Sequence, residues 1–173
     1  MVKLWRCEIC GDPYIGSSPP DNCPFCGAHG KYIKEANEAE VNFDVELNEK
    51  DRGNAERALQ VEVSNSAFYF CAAGKTDDEE GKLLFKALAK VEREHASVWR
   101  KILKLGSIPE GNETCSVPYR ENLEESHARE KRAIEFYKKA ASESADARVR
   151  QIFEAFVEVE TDHLGLSEGR LNL

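Results

Sequence analysis

From residue 49 onward this 173-residue chain repeats itself. Glu62 and Glu130, Tyr69 and Tyr137, Glu92 and Glu160, and His95 and His163 form pairs, each 68 positions apart, with no gap. Phe68/Phe136, Ala72/Ala140, Ala73/Ala141, Phe85/Phe153, Ala87/Ala155 and Val91/Val159 fall on the same offset. A repeat of core packing alone would concentrate identity at apolar positions. Here the titratable residues repeat as well, so two copies of one helical hairpin, related by a pseudo-two-fold, share a chemical site as well as a core.

The helices are read from caps and breakers. A first helix runs roughly from Glu49 to Ala73, with Asn48 as N-cap and Gly74 as stop. A second opens at the capping-box pattern Thr76-Asp77-Asp78-Glu79 and ends near Gly106. A third begins after Ser116-Val117-Pro118, and a fourth follows the break at Ser142–Ala145. The fourteen residues from Gly106 to Tyr119 have no helical period; fully extended they would cover about 45 Å, the length of a bundle. Two short connections and one long crossover predict a ferritin-like four-helix bundle.

On these helices the repeated residues fall inside the apolar stripes. The stripe of the first reads Leu59, Val63, Ser66, Phe70 and Ala73, and contains Glu62 and Tyr69. The second carries Phe85, Leu88, Ala89, Ala96 and Trp99 around Glu92 and His95, and the fourth Phe153, Phe156, Val157 and Leu164 around Glu160 and His163. Residues three and seven apart share a helix face, so four Glu and two His point into the core. A buried ionised carboxylate is costly unless it is paired or bound to metal, and no Lys or Arg lies in these patches. Four glutamates balance two ferrous ions. One Glu on each of two helices and Glu-x-x-His on each of the others is the di-iron or di-manganese carboxylate pattern. The expected ligands are Glu62, Glu92, His95, Glu130, Glu160 and His163.

The first 36 residues have a different texture. Pro13, Pro19, Pro20 and Pro24 interrupt every helical window, and short strands are expected at Val2–Arg6 and Tyr32–Lys34. Cys7-Glu-Ile-Cys10-Gly11 and Cys23-Pro-Phe-Cys26-Gly27 are two knuckles separated by twelve residues. Facing each other they make a closed tetrahedral sulfur site for iron or zinc. The expected organisation is a four-cysteine metal domain at 1–36, an acidic linker at 37–48 and a bundle at 49–173.

Composition narrows the classes. A net charge of −8 argues against a nucleic-acid binder, and no apolar run has the length of a membrane helix or a signal peptide. With 41% hydrophobic residues the chain folds, by default in the cytoplasm.

With Tyr14 four residues beyond Cys10 and the C-P-x-C-G form of the second knuckle, the N-terminal segment resembles rubredoxin. Joined to this ligand set, it makes the chain resemble the rubrerythrin family in its reversed order, with the rubredoxin-like module first. That resemblance implies an electron-transfer iron feeding a non-haem di-iron site that reduces hydrogen peroxide to water, as a defence against oxidative stress. It implies one iron (or zinc) in the four-cysteine site, two irons (manganese possible) in the bundle, and an electron donor such as a rubredoxin or an NAD(P)H-dependent reductase. It also implies a homodimer. Glu62 with Tyr69, Glu92 with His95, Glu130, and Glu160 with His163 match the family's helix motifs. One departure stands out: the family's second glutamate, three residues after the third-helix ligand, is Ala133 here, and its repeat mate is Asn65. This suggests a symmetric site closer to bacterioferritin, so ferroxidase or oxygen-reductase chemistry is the alternative. A non-enzymatic redox sensor with zinc in the four-cysteine site is a further one.

Tyr69 and Tyr137 are expected either to donate hydrogen bonds to the ligand carboxylates or to pack in the core with paired hydroxyls. His127, three residues before Glu130 on the same stripe, reads as a satisfied core or boundary histidine, with a substitute ligand or a hydrogen-bond partner of a ligand carboxylate as the alternative. His29 reads as a loop residue without assignment, and Cys71 and Cys115 as inert thiols, with a resolving redox role as the alternative.

Overall fold

A computed structural model describes residues 1–172. Near the N-terminus, β1 (Lys3–Cys7) pairs antiparallel with β2 (Pro13–Gly16) on one side and β3 (Ile33–Glu35) on the other. The register places Trp5 opposite Tyr14 and opposite Glu35, and Cys7 opposite Ile33. β2 has no counterpart among the strands expected from sequence. Its proline occupies the first position of an edge strand, where no ladder N–H is required.

Both knuckles close in the same way. Gly11 N donates to Cys7 O and Gly27 N to Cys23 O, each at 2.9 Å, with φ of +85° at Gly11 and +75° at Gly27. This left-handed backbone favours glycine, and it explains the Gly after each Cys-x-x-Cys. Gly27 has a second reason to lack a side chain: a Cβ there would lie 2.9 Å from Val159 Cγ1.

Four long helices follow: α1 (Glu49–Lys75), α2 (Glu79–Ile102), α3 (Tyr119–Glu143) and α4 (Ala147–Leu171). Asn48 caps α1 as expected, its Oδ1 accepting from Asp51 N at 2.7 Å. The helix runs through Gly74 to Lys75, past its expected stop. The cap of α2 is Asp78 rather than Thr76, with Gly81 N donating to its carboxylate, and Thr76 is buried. α2 ends at Ile102, four residues early, where Lys104 turns into the left-handed region. Asp146 caps α4 by accepting from Arg148 N and Val149 N.

Residues 37–48 contain no helix or strand, but Val45 is buried and Phe43 and Leu47 pack against the core. One apolar cluster runs from Trp5, Ile9 and Ala28 of the N-terminal segment into Ala96, Trp99, Phe153 and Phe156 of the bundle. A second, at the other end, gathers Phe68, Tyr69, Phe85, Leu88, Leu123 and Leu171.

Two readings are corrected. Phe70 is 78% exposed rather than in the inward stripe of α1. It lies eight residues beyond Glu62, about 80° round the helix; the inward positions are Ala58, Leu59, Glu62, Asn65, Tyr69 and Ala72. Cys71 and Cys115 are not separate thiols but a disulfide joining α1 to the crossover, with Cα atoms 5.9 Å apart.

Candidate metal centres

Four carboxylates and two imidazoles converge in the bundle interior. Glu62 comes from α1, Glu92 and His95 from α2, Glu130 from α3, and Glu160 and His163 from α4. All six are buried. They form two overlapping sets, Glu62, Glu92, His95 and Glu160 in one and Glu92, Glu130, Glu160 and His163 in the other. Within each set, one potential ligand atom per residue lies within 4.8 Å of every other. Glu92 and Glu160 belong to both sets, so the Glu-x-x-His glutamates lie between two positions. Glu62 with His95, and Glu130 with His163, stand at either end, as the 68-residue repeat requires.

The imidazoles face the carboxylates through Nδ1. His95 Nδ1 is 3.2 Å from Glu160, 3.5 Å from Glu62 and 3.7 Å from Glu92. His163 Nδ1 is 3.0 Å from Glu160 and 3.1 Å from Glu92. The tyrosines also obey the repeat, but crosswise: Tyr137 on α3 donates to Glu62 on α1, and Tyr69 on α1 donates to Glu130 on α3. Ser126 Oγ, 2.9 Å from Tyr69 Oη, extends the second contact.

Protons and charges alternate through this cluster. Burial raises Glu62 and Glu130 well above the ordinary carboxylate range, and the neighbouring charged carboxylates add to it. Burial pushes Glu92 and Glu160 the same way, but the two imidazoles close beside them outweigh it and hold both below their ordinary value. Burial disfavours a charged imidazole, yet the surrounding carboxylates raise His95 and His163 well above the usual range. Without a cation, these shifts favour the neutral form of Glu62 and Glu130 and the charged form of Glu92, Glu160, His95 and His163.

The donor set fits metal. Glu62 Oε2, both oxygens of Glu92, His95 Nδ1, Glu130 Oε2 and Glu160 Oε1 are buried without a hydrogen-bond partner among the described residues. Each unsatisfied buried polar atom costs about 1–3 kcal/mol, and divalent cations between them would satisfy all six. Among the described residues, these glutamates pair only with the two imidazoles and with no Lys or Arg. The bundle holds two irons.

Cys7, Cys10, Cys23 and Cys26 are buried, unbridged and within 4.8 Å of one another. Cys7 and Cys26 sulfurs are 3.8 Å apart, as are those of Cys10 and Cys23. A tetrahedron with metal–sulfur bonds of about 2.3 Å has edges of about 3.8 Å, so the sulfurs already stand at metal-site spacing. The Cys10–Cys23 contact pulls the pair apart in acidity, raising Cys10 and lowering Cys23. The backbone amide N–H of Asp12 reaches Cys10 Sγ at 3.4 Å. The site holds one iron or zinc.

The two centres are joined by a contact absent from the sequence reading. His95 Nε2 lies 2.8 Å from the carbonyl oxygen of Cys26. With Nδ1 facing carboxylates, the Nε2–H donates to that carbonyl, which fixes the ring as it also stacks on Phe156 at 4.1 Å. Other ties hold the knuckles to the bundle: His29 to Asp162 at 2.8 Å and Glu158 at 3.5 Å, and Lys101 Nζ to Cys10 O at 2.8 Å. Arg148 donates to the carbonyls of Glu8 and Ile9. His29, unassigned from sequence, is thus a fastening residue. His127 lies outside both carboxylate sets, with Nδ1 3.3 Å from Ser167 Oγ. Ala133 is buried with no carboxylate in its place, and Asn65, also buried, accepts from Arg129 at 3.3 Å.

A family model described as rubrerythrin matches residues 54–168, and one described as rubrerythrin, rubredoxin-like domain, matches residues 5–34. Among curated proteins the chain is similar to Reverse rubrerythrin-1 of Clostridium acetobutylicum, 29% identical over 117 residues. That match covers 59% of this chain and 62% of the relative, less than two thirds of its length. No solved structure matches the chain.

Proposed function

The chain belongs to the rubrerythrin family, and from that premise we propose that it reduces hydrogen peroxide to water at the carboxylate–histidine centre, with electrons entering singly through the four-cysteine site. The observation that carries this reading is His95, whose Nδ1 faces the carboxylates while its Nε2 bonds the carbonyl of Cys26, itself a member of the sulfur site. A purely structural zinc knuckle would have no use for so direct a link to a redox centre.

Glu62 and His95 would hold one iron, Glu130 and His163 the other, with Glu92 and Glu160 between them. When bound as ferrous ions, the pair supplies the two electrons that peroxide reduction requires. The chain's own residues do the rest. Tyr137 and Tyr69 fix the terminal glutamates by hydrogen bonds, so those carboxylates stay oriented as charge in the centre changes. Burial raises both tyrosines well above the ordinary phenol value, so each keeps its proton and remains a donor. Ser126 continues the chain of hydroxyls from Glu130 through Tyr69. His95 and Cys26 are both fully buried and Phe156 stacks on the imidazole, which keeps bulk water from the bond between them. The sulfur site is closed, with four ligands and no free position, so it passes electrons without binding substrate.

The symmetric ligand set, with Ala133 and Asn65 where a further carboxylate would stand, supports dioxygen as a second oxidant. Comparing oxidation of the reduced protein by peroxide and by dioxygen decides the preference. Cys10→Ser tests the division of labour. One oxidation of pre-reduced protein by peroxide should stay near the wild-type rate, while steady-state consumption falls at least tenfold. Unchanged steady-state turnover with the sulfur-site iron demonstrably absent would overturn the electron route.

A further inference from the structure

The Cys71–Cys115 bond has no part in either metal centre. We propose that Cys71 and Cys115 form a second peroxide-reactive site, a dithiol that hydrogen peroxide oxidises to the disulfide and a dithiol reductant restores.

Access differs between the two sets of cysteines. The four knuckle sulfurs are buried, whereas Cys71, on α1, and Cys115, in the irregular crossover, are both half-buried. The crossover does not need the disulfide to stay in place. Gly111 lies so close to α1 that a Cβ would stand 2.6 Å from Val63 O. Glu113 accepts from Ser64 Oγ at 2.6 Å and from Arg129 at 3.2 Å. Beyond Cys115, Ser116 exchanges hydrogen bonds with the Asn122 side chain at 2.9 and 3.0 Å. The segment is pinned on both sides of Cys115, so reduced thiols would remain within bonding reach, at the 5.9 Å Cα separation that disulfides favour.

The other four cysteines constrain the setting. They take a cation only as reduced thiols, so the chain assembles where thiols are kept reduced. A half-buried disulfide in such a setting is reducible, and it forms when an oxidant arrives. One thiol ionises and its thiolate attacks a peroxide oxygen; the O–O bond breaks, a sulfenic acid forms, and the departing hydroxide takes up the released proton as water. The second thiol attacks the sulfenic sulfur, the S–S bond forms, and a second water leaves. Two thiols lose two electrons and one peroxide becomes two waters. An external dithiol reverses the oxidation by exchange and is itself oxidised. The identity of the oxidant rests on the peroxide reading above; the thiol chemistry does not.

The full chain carrying zinc in all metal sites has no redox metal and isolates this chemistry. It would be reduced with a thioredoxin-type protein, separated, treated with one equivalent of hydrogen peroxide, alkylated and analysed by peptide mass. Alkylation of Cys71 and Cys115 should fall together at least tenfold, with a cross-linked peptide in their place and the four knuckle cysteines unchanged. In Cys71→Ser, Cys115 should instead be captured by a sulfenic-acid probe. Continued alkylation of both thiols after peroxide would overturn the proposal. So would a disulfide that the reductant cannot open in the folded protein, since that would make it a permanent cross-link. Peroxide consumption by the iron-loaded protein is read separately, and its failure would count against the iron reading while leaving the thiol result standing.

Discussion

Filling the carboxylate centre should expel four protons. Before a cation binds, the carboxylate neighbours of His95 and His163 favour their charged form, and burial favours the neutral form of Glu62 and Glu130. Glu92 and Glu160 are ionised. To serve as ligands, both imidazoles must give up the Nδ1 proton and both neutral carboxyls must ionise. Two divalent ions therefore replace four protons, and the buried centre stays neutral throughout. While all four groups keep their protons, the product of the two binding constants should rise about 10⁴-fold per pH unit, about 5.4 kcal/mol. That steepness fades as pH climbs through the raised values of these groups. The assay is anaerobic calorimetry with the sulfur site already filled, titrating ferrous ion near neutral pH in buffers of different ionisation enthalpy. The slope of observed heat against buffer enthalpy gives the proton count. A release of about four supports the alternating arrangement; two or fewer would show that Glu62 and Glu130 are already ionised and would refute it.

The same shifts set the stability of protein lacking metal in the bundle. The folded-state values of His95 and His163 lie above 6.5, and those of Glu62 and Glu130 above 4.5, so the folded state binds more protons than the unfolded one as pH rises past these values. Thermal unfolding should thus show the metal-free bundle losing stability from neutral to alkaline pH, while the filled protein changes little. Gly27→Ala forces a side chain onto a φ of +75° and against Val159, and should cost about 1–3 kcal/mol in denaturant unfolding. Unchanged stability would mean that the second knuckle does not approach α4 so closely.

The convergence of the six side chains was legible because charge on an apolar stripe is improbable without a partner, and the 68-residue offset relates them as three pairs. The crosswise pairing of Tyr137 with Glu62 and Tyr69 with Glu130 was not, since helix periodicity gives a face but not which facing helix it meets. Phe70 is misleading in sequence because a hydrophobic residue about 80° off the stripe looks like its edge. β2 is hidden by Pro13, which reads as a turn unless its edge position is known. Cys71 and Cys115 look solitary because their meeting depends on the path of the crossover, and 44 residues separate them. His29, Lys101 and Arg148 fasten the knuckles through contacts between residues 91 or more positions apart, and a single chain carries no local signal for these. The bond from His95 to the Cys26 carbonyl belongs to the same class, and it is the contact on which the functional reading turns.

The direct test of that reading is the rate at which the sulfur-site iron loses its electron after a pulse of peroxide. Fully reduced protein with iron in all sites would be mixed with one equivalent of peroxide in a stopped-flow instrument, across a wide range of protein concentration. Oxidation of the carboxylate centre should come first and depend on peroxide. Oxidation of the sulfur-site iron should follow with a first-order rate independent of protein concentration, because His95 and Cys26 of one chain connect the two. A rate proportional to protein concentration, or a sulfur-site iron that stays reduced, would contradict the account.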